Sequence, residues 1–148
     1  MRKPASAVGH FSDPPWSVSI VSLSSYDPIA EMYHSLWADW YLPAAMPALE
    51  RLFFANVPAT AKVMDVCCGS GHVTQELIRR GYQVTAVDAS AGLIEIARRD
   101  WPNVDWRVQD VRRLDVEQGQ YAAALSTFDS LNHVGNADDL YMAFVGVH

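Results

Sequence analysis

The chain has 148 residues, of which 50% are hydrophobic and 19% are charged, the ordinary composition of a soluble globular domain. Its formal charge of −6 argues against a broad phosphate-binding surface, and so against nucleic acid as a partner. No apolar stretch approaches the roughly 20 residues of a membrane-spanning helix, and two cysteines without a disulfide framework indicate a cytoplasmic location.

The first 25 residues are rich in serine and proline and carry little charge, which is typical of a flexible leader. Within them, residues 18–23 have the apolar content of a short strand. From Tyr26 onward the spacing predicts an amphipathic helix over residues 28–40, whose apolar positions are Ile29, Met32, Tyr33, Leu36, Trp37 and Trp40. Helical spacing places such side chains in the core by default. A second helix is predicted to restart at Pro43, with Met46, Leu49, Leu52 and Phe53 on its apolar face.

Beyond residue 60, strand-like and helix-like segments alternate. The predicted strands cover residues 61–66, 83–87, 104–108 and 120–127, and the predicted helices cover residues 72–80, 91–100 and 137–147. Gly81 is suited to end the first of these helices, and Ser90 to cap the second. The basic pairs Arg79-Arg80, Arg98-Arg99 and Arg112-Arg113 are expected to be solvated surface. This alternation predicts an α/β fold with a doubly wound parallel sheet.

Four strands in doubly wound order, 3-2-1-4, leave the fourth strand at an edge of the sheet. An apolar edge strand without charged guard residues is a liability, because its unpaired backbone groups can pair with another chain. We therefore expect that the sequence is truncated, or that another chain covers this edge through self-association.

Residues 63–74, VMDVCCGSGHVT, connect the first strand to the helix that follows it. Asp65 ends the strand, while Gly69 and Gly71 allow a sharp turn and a close approach of the backbone to a ligand. Asp88 and Asp110 follow the second and third strands in the same way. Since ligands bind at the carboxyl edge of such sheets, three acids meeting there predict a nucleoside site.

Two other kinds of site compete for this loop. A zinc or redox site would use Cys67 and Cys68, but adjacent cysteines lack the usual C-x₂₋₄-C spacing and have no further ligands beside them. A nicotinamide site would need a third glycine, and position 74 of the G-x-G-x-x-G pattern is Thr74.

Taken together, the motifs resemble those of class I S-adenosylmethionine-dependent methyltransferases, over residues 26–148. VMDVCCGSG is similar to the family's glycine-rich motif, YQVTAVDAS to its ribose-binding segment, VQDVRRL to its adenine-binding segment and STFDSLNHV to its fourth-strand motif. The resemblance implies a Rossmann-like domain that lacks the last strands, S-adenosylmethionine as the cofactor and a small-molecule methyl acceptor. An incomplete fragment that binds the nucleoside without turnover is the alternative.

The resemblance also implies roles for individual residues. Asp88 and Ala89 would contact the ribose, Asp110 and Val111 the adenine, and Asp65, Cys68, Gly69 and Gly71 the methionine portion. Phe128 and Asp129 would wall the donor pocket, and Tyr33 would approach it from the first helix. Apart from the resemblance, Asn132 and His133 follow the fourth strand, where a substrate contact and a capping role are equally open, and His133 is the candidate catalytic residue. Cys67 stands where the family has its first glycine. The small cysteine side chain still allows the loop to close, but a positive φ angle would be strained there.

Overall fold

In the computed structural model of the chain the described residues are 25–117 and 119–148, and for residues 37–39 only the backbone is described. The predicted leader, apart from Ser25, and the predicted strand at residues 18–23 therefore lie outside the described residues. The elements are a four-stranded parallel sheet of β1 (Lys62–Val66), β2 (Gln83–Asp88), β3 (Asp105–Val108) and β4 (Ala123–Ser126), with α1 (Ala30–Leu49), α2 (His72–Arg79), α3 (Ala91–Asp100) and α4 (Ala137–Val147).

The strand order is β3-β2-β1-β4, which confirms the predicted doubly wound arrangement with the fourth strand at the edge. Parallel pairing aligns the strand ends: Val66 lies opposite Val87 and Ser126, and Asp88 lies opposite Val108. The loops that leave β1, β2, β3 and β4 consequently meet at one edge of the sheet. The predicted strand at 120–127 is shorter in the structure, and its side chains are mostly half-buried.

Successive residues of β1 point to opposite faces of the sheet, as the strand repeat requires. Val63 packs with Leu77 and Phe53 on the face covered by α1 and α2. Met64 packs with Val111 and Ala143 on the face covered by α4. The sheet is thus covered on both faces, as the near-continuous apolar strands predict.

The two predicted N-terminal helices are one continuous helix in the structure. A 3-10 turn, Asp27–Ile29, leads into α1, which runs through Pro43 and Pro47 and continues as a π-helical segment, Glu50–Phe54. Interior proline costs about 3 kcal/mol in a helix. Here Leu42, Ala45 and Met46 pack against the core on either side of the prolines, and this burial offsets the cost.

Most of the predicted apolar stripe over residues 28–40 is outside the core, and among its described side chains only Tyr33 is half-buried against a core cluster. Ile29, Met32, Leu36 and Trp40 are exposed, and further along Leu52 is exposed as well. Helical spacing identifies which side chains share a face, but it does not identify what that face packs against.

Among the described residues, none of the helices combines the length and the apolar composition that a membrane-spanning helix needs.

Candidate cofactor-binding site

The loop after β1 is built from residues with left-handed backbone angles. Cys67 has φ +58°, Gly69 +56° and Gly71 +89°, so the loop closes with Cys67 in a backbone conformation that is strained for a residue other than glycine. The Cys68 N–H donates to the Val87 carbonyl at 3.0 Å, and the Gly71 N–H donates to the Cys68 carbonyl at 3.0 Å. These bonds fasten the turn to β2 and close it immediately before α2.

Gly71 is required by packing as well as by its backbone angle. A Cβ atom at this position would lie 2.4 Å from Cη2 of Trp106, a buried ring on β3. The glycine therefore lets the start of α2 approach β3 more closely than any other residue would allow.

Asp65 lies beneath the loop and is fully buried. Its Oδ2 accepts a 2.5 Å hydrogen bond from the Thr74 hydroxyl, while Oδ1 has no hydrogen-bond partner among the described residues. Burial raises the pKa of this carboxyl to about 7, with a further contribution from the nearby Asp88 carboxylate and a partial offset from the Thr74 hydrogen bond. The structure thus holds a carboxyl group with one unused buried oxygen under the turn.

Asp88, at the end of β2, joins the loop to the next helix. Its Oδ2 accepts from the Gly69 N–H and its Oδ1 from the Ser90 N–H, both at 2.8 Å. Burial raises the pKa of Asp88, and the two backbone hydrogen bonds act in the opposite direction. Ser90 also caps α3 by accepting from the Leu93 N–H at 3.2 Å, as predicted.

Asp110, after β3, is held by a neighbour that was predicted to be solvated surface. The Arg112 guanidinium donates to both carboxylate oxygens of Asp110 at 2.5–3.0 Å and reaches Asp139 of α4 at 3.4 Å. These hydrogen bonds hold the pKa of Asp110 below its usual value. Arg112 lines the cavity described below, so the prediction of a solvated surface role for it was wrong.

The remaining basic pairs are also less free than predicted. Arg80 pairs with Glu50 at 2.5 Å and with Glu76 at 2.7 Å, and Arg98 donates to the Trp106 carbonyl at 2.8 Å. Sequence shows that these side chains are charged, but not which distant acceptor each one meets.

A cavity of about 280 Å³ opens at this edge of the sheet. Among the predicted site residues it is lined by Tyr33, Gly69, Asp88, Ala89, Asp110, Val111, Phe128, Asp129 and His133, and the lining residues that were not predicted to belong to the site include Leu93 and Arg112. An adjoining cavity of about 40 Å³ is lined by Cys68, His72 and Phe128. Asp65 and Gly71 line neither cavity: Asp65 is buried beneath the loop, and Gly71 packs against the Trp106 ring.

Tyr33 of α1 covers the loop. An added Cβ at Gly69 would lie 4.0 Å from Cε1 of Tyr33, and the Tyr26 ring packs edge-on against Tyr33 with centroids 5.1 Å apart. Burial raises the pKa of Tyr33 to about 12, so its hydroxyl stays protonated. α1 therefore closes the cavity from above.

Asp27 is a structural residue of the site that sequence reasoning missed. Its Oδ1 accepts from the Ser90 hydroxyl at 2.6 Å and from the Gly92 N–H at 3.0 Å, which ties the N-terminal segment to the start of α3. No local sequence signal marks it, since the contact spans more than 60 residues.

His133 and Asp129 lie at the mouth of the cavity. His133 Nε2 is 3.7 Å from Asp129 Oδ2, and both side chains are more than half exposed, at 57% and 68%. The imidazole is thus open to a molecule entering the cavity.

The two cysteines pack away from each other. Cys67 packs with Met64, Val111 and Ala143, which we call the α4-side cluster. Cys68 packs with Ala86, Ile94 and Trp106 in a different cluster. Burial raises the pKa of the Cys67 thiol to about 12 and that of Cys68 well above its usual value, so both are poor nucleophiles. Within the described ranges, no group of three or more metal-ligating side chains is arranged around a common point.

Comparison with known proteins agrees with this geometry. A family model described as a methyltransferase domain matches residues 63–146. The ubiquinone biosynthesis O-methyltransferase of Xanthomonas axonopodis pv. citri is 40% identical over 81 residues, which cover 52% of this chain and 34% of that protein. The chain therefore spans about a third of the length of this curated relative.

Two solved structures share the fold. A TehB-like SAM-dependent methyltransferase from Corynebacterium glutamicum superposes with a TM-score of 0.63 at 25% identity, covering 80% of this chain and 65% of that one. The sugar N-methyltransferase KedS8 from Streptoalloteichus sp. superposes with a TM-score of 0.66 at 16% identity, covering 99% of this chain and 54% of that one. With the family model covering more than half of its residues, the chain belongs to the methyltransferase domain family and is a class I S-adenosylmethionine-dependent methyltransferase domain.

Proposed function

We propose that this chain binds S-adenosylmethionine at the carboxyl edge of its sheet and supports methyl transfer to a small-molecule acceptor. The observation that carries the proposal is the joint lining of one cavity by Asp88, Asp110 and the Gly69 turn, which come from three successive strand ends. That is the arrangement in which an open α/β sheet holds a nucleoside ligand.

The residues present fit this cofactor. Asp88 would hold the ribose hydroxyls beside Ala89, and Asp110 with Val111 would hold the adenine. The unpartnered Oδ1 of Asp65 would favour the cofactor's ammonium group, directly or through water. Gly69, Gly71 and the backbone near Cys68 would bracket its methionine portion, under Tyr33.

When bound, the cofactor would supply a methyl group on a sulfonium, which is open to in-line attack. The chain contributes alignment: the loop and the three acids fix the donor, and Phe128 walls the donor pocket next to the cavity mouth. Positioning of two reactants can contribute about 7–11 kcal/mol to the rate.

The acceptor side of the proposal rests on the mouth of the cavity. His133 is our candidate catalytic base, because its imidazole is exposed there beside the Asp129 carboxylate. A small-molecule acceptor is supported by the name of the relative in ubiquinone biosynthesis and by the acidic charge, which also disfavours nucleic acid.

Further parts of the proposal concern the setting of the domain. We infer a cytoplasmic location from the free thiols of Cys67 and Cys68. We infer self-association through the edge of β4, which has no partner strand among the described residues, because the groove beside it is lined by Trp40, Leu52 and Phe53.

The nicotinamide alternative has less support. Thr74, at the position of the third glycine, is fully buried and donates its hydroxyl to Asp65. This position therefore carries a side chain with a partner of its own, instead of the small residue that a dinucleotide fingerprint uses for close helix packing.

Calorimetric titration with S-adenosylhomocysteine tests the proposal. We expect micromolar binding that is lost in Asp88→Ala and kept in Asp115→Ala, an exposed acid away from the cavity. Binding of NADH in place of S-adenosylhomocysteine would contradict the proposal. Absence of binding together with aggregation would favour the incomplete fragment.

A further inference from the structure

Ser70 is the side chain between the two glycines of the loop, and it is buried. Its hydroxyl oxygen lies 3.0 Å from Nδ1 of His34 and 3.3 Å from Nε2 of His72. His34 belongs to α1 and His72 begins α2. One hydroxyl thus joins the loop to the helix above it and to the helix that follows it.

The three side chains, which we call the histidine clasp, satisfy one another. A hydroxyl can donate one hydrogen bond and accept others, so both contacts form when Ser70 donates to one imidazole and accepts from the other. The two rings also stack, with centroids 5.2 Å apart and planes inclined by 16°. A buried hydroxyl requires such partners, because an unsatisfied one costs about 1–3 kcal/mol.

The clasp acts on the part of the loop that changes shape most easily. Gly69 and Gly71 have no side chains of their own, and glycine has the largest conformational freedom of any residue. Fixing Ser70 from two sides therefore restricts both glycines at once. His34 itself lines neither cavity, but its neighbour Tyr33 lines both.

The other end of His34 is also engaged. Its Nε2 lies 3.7 Å from Oδ2 of Asp100 at the end of α3, and Asp100 accepts from Arg99 at 3.1 Å. The imidazole is therefore held in place by α3 while it holds the loop.

We propose that His34 is a positioning residue for cofactor binding, an inference that rests on the proposed cofactor site. Through Ser70 it holds the Gly69–Gly71 turn in the shape that faces the methionine portion of the cofactor, and the same docking of α1 places Tyr33 over that turn. The residue acts through the loop and does not touch the cofactor.

The test is calorimetric titration of the full chain with S-adenosylhomocysteine. His34→Phe keeps a ring against His72 but removes the hydrogen-bonding nitrogen, whereas His34→Asn returns an amide donor near the position of Nδ1. Loss of one hydrogen bond corresponds to about a threefold to tenfold weaker affinity. We expect that loss in His34→Phe and a loss at least as large in Ser70→Ala, which removes both contacts of the hydroxyl. We expect recovery to within about twofold in His34→Asn, and no change in His148→Phe, an exposed control.

A double variant separates positioning from general destabilisation. If His34 acts through Ser70, His34→Phe with Ser70→Ala should bind no more weakly than Ser70→Ala alone. The proposal would be overturned if the affinity losses of the two single variants multiplied in the double variant, or if Ser70→Ala bound as tightly as the wild type. If circular dichroism shows that His34→Phe does not fold, the affinities of Ser70→Ala and His34→Asn still test the proposal. If the wild-type chain does not bind S-adenosylhomocysteine, the proposed function fails first.

Discussion

The Thr74 hydroxyl, one turn into α2, donates a 2.5 Å hydrogen bond to the fully buried carboxyl of Asp65 at the end of β1. This contact fixes one oxygen of Asp65 and leaves the other without a partner among the described residues. Without a bound ligand, the neutral form of the carboxyl is favoured, because burial disfavours the charge.

Stability should therefore fall as the pH rises through the Asp65 pKa. The pKa rises from 3.8 in the unfolded chain to about 7 in the folded one, so the folded state binds the extra proton between these values. At about 1.4 kcal/mol per pKa unit, the stabilisation lost by pH 8 is at most about 4 kcal/mol. Part of this stabilisation is already lost at pH 5, so we expect the stability of Asp65→Asn relative to the wild type to be higher at pH 8 than at pH 5, by at most about 3 kcal/mol.

Urea denaturation at these two pH values measures the difference. Asp115→Asn is the matched control, since Asp115 is exposed and should follow the wild type at both values. An Asp65→Asn curve that keeps the wild-type pH dependence would show that this carboxyl is ionised in the folded apoprotein.

Cofactor binding should release a proton. If the ammonium of S-adenosylhomocysteine lies near Oδ1 of Asp65, its charge favours the carboxylate, so a group that is protonated at pH 6 must ionise on binding. We expect release of close to one proton per ligand at pH 6, and affinity that rises with pH up to about 7. Calorimetry in buffers with different ionisation enthalpies measures this number. Equal heats in all buffers, or a release that persists in Asp65→Asn, would contradict it.

At position 67 a glycine should give a more stable protein than an alanine. A left-handed angle such as its φ of +58° costs a non-glycine residue about 1–2 kcal/mol. Cys67→Gly should therefore be more stable than Cys67→Ala by about 1 kcal/mol, although both lose the packing of Sγ against the α4-side cluster.

Cys68 supplies the matched comparison, because its φ angle is not positive. There the order should reverse, with Cys68→Ala more stable than Cys68→Gly. Thermal unfolding of the four variants is the measurement. The same order at both positions would mean that backbone strain at Cys67 does not matter.

Much of the fold and of the loop follows from short-range signals. The ends of α2, α3 and α4 are marked by residues whose chemistry acts locally, such as Gly81 with φ +97° and Ser90 with its cap. Asp88 and Asp110 line one cavity because parallel pairing aligns the strand ends, whereas Asp65 lies beneath the loop.

The contacts that complete the site are of a different kind. Asp27 on Ser90, His34 on Ser70 and Arg112 on Asp139 are side-chain contacts between residues that are 27 or more positions apart. No local pattern distinguishes these residues from ordinary surface polar groups. The continuous α1 belongs with them, since only packing on the core outweighs Pro43 and Pro47.

Gly71→Ala should be among the most destabilising single-methyl additions in this chain. The new Cβ would combine a positive φ of +89° with a 2.4 Å contact on the Trp106 ring, so a backbone cost of about 1–2 kcal/mol adds to an overpacking cost of about 1–3 kcal/mol. Gly119→Ala isolates the backbone cost, because Gly119 has φ +76° and an added Cβ would have no atom of the described residues within 4 Å. In denaturant unfolding, the stability of Gly71→Ala should therefore be clearly lower than that of Gly119→Ala.

The clashing atoms belong to the six-membered ring of the Trp106 indole. Adding Trp106→Phe to Gly71→Ala should therefore recover part of the lost stability. If no stability is recovered, the contact with Trp106 is not a cause of the loss.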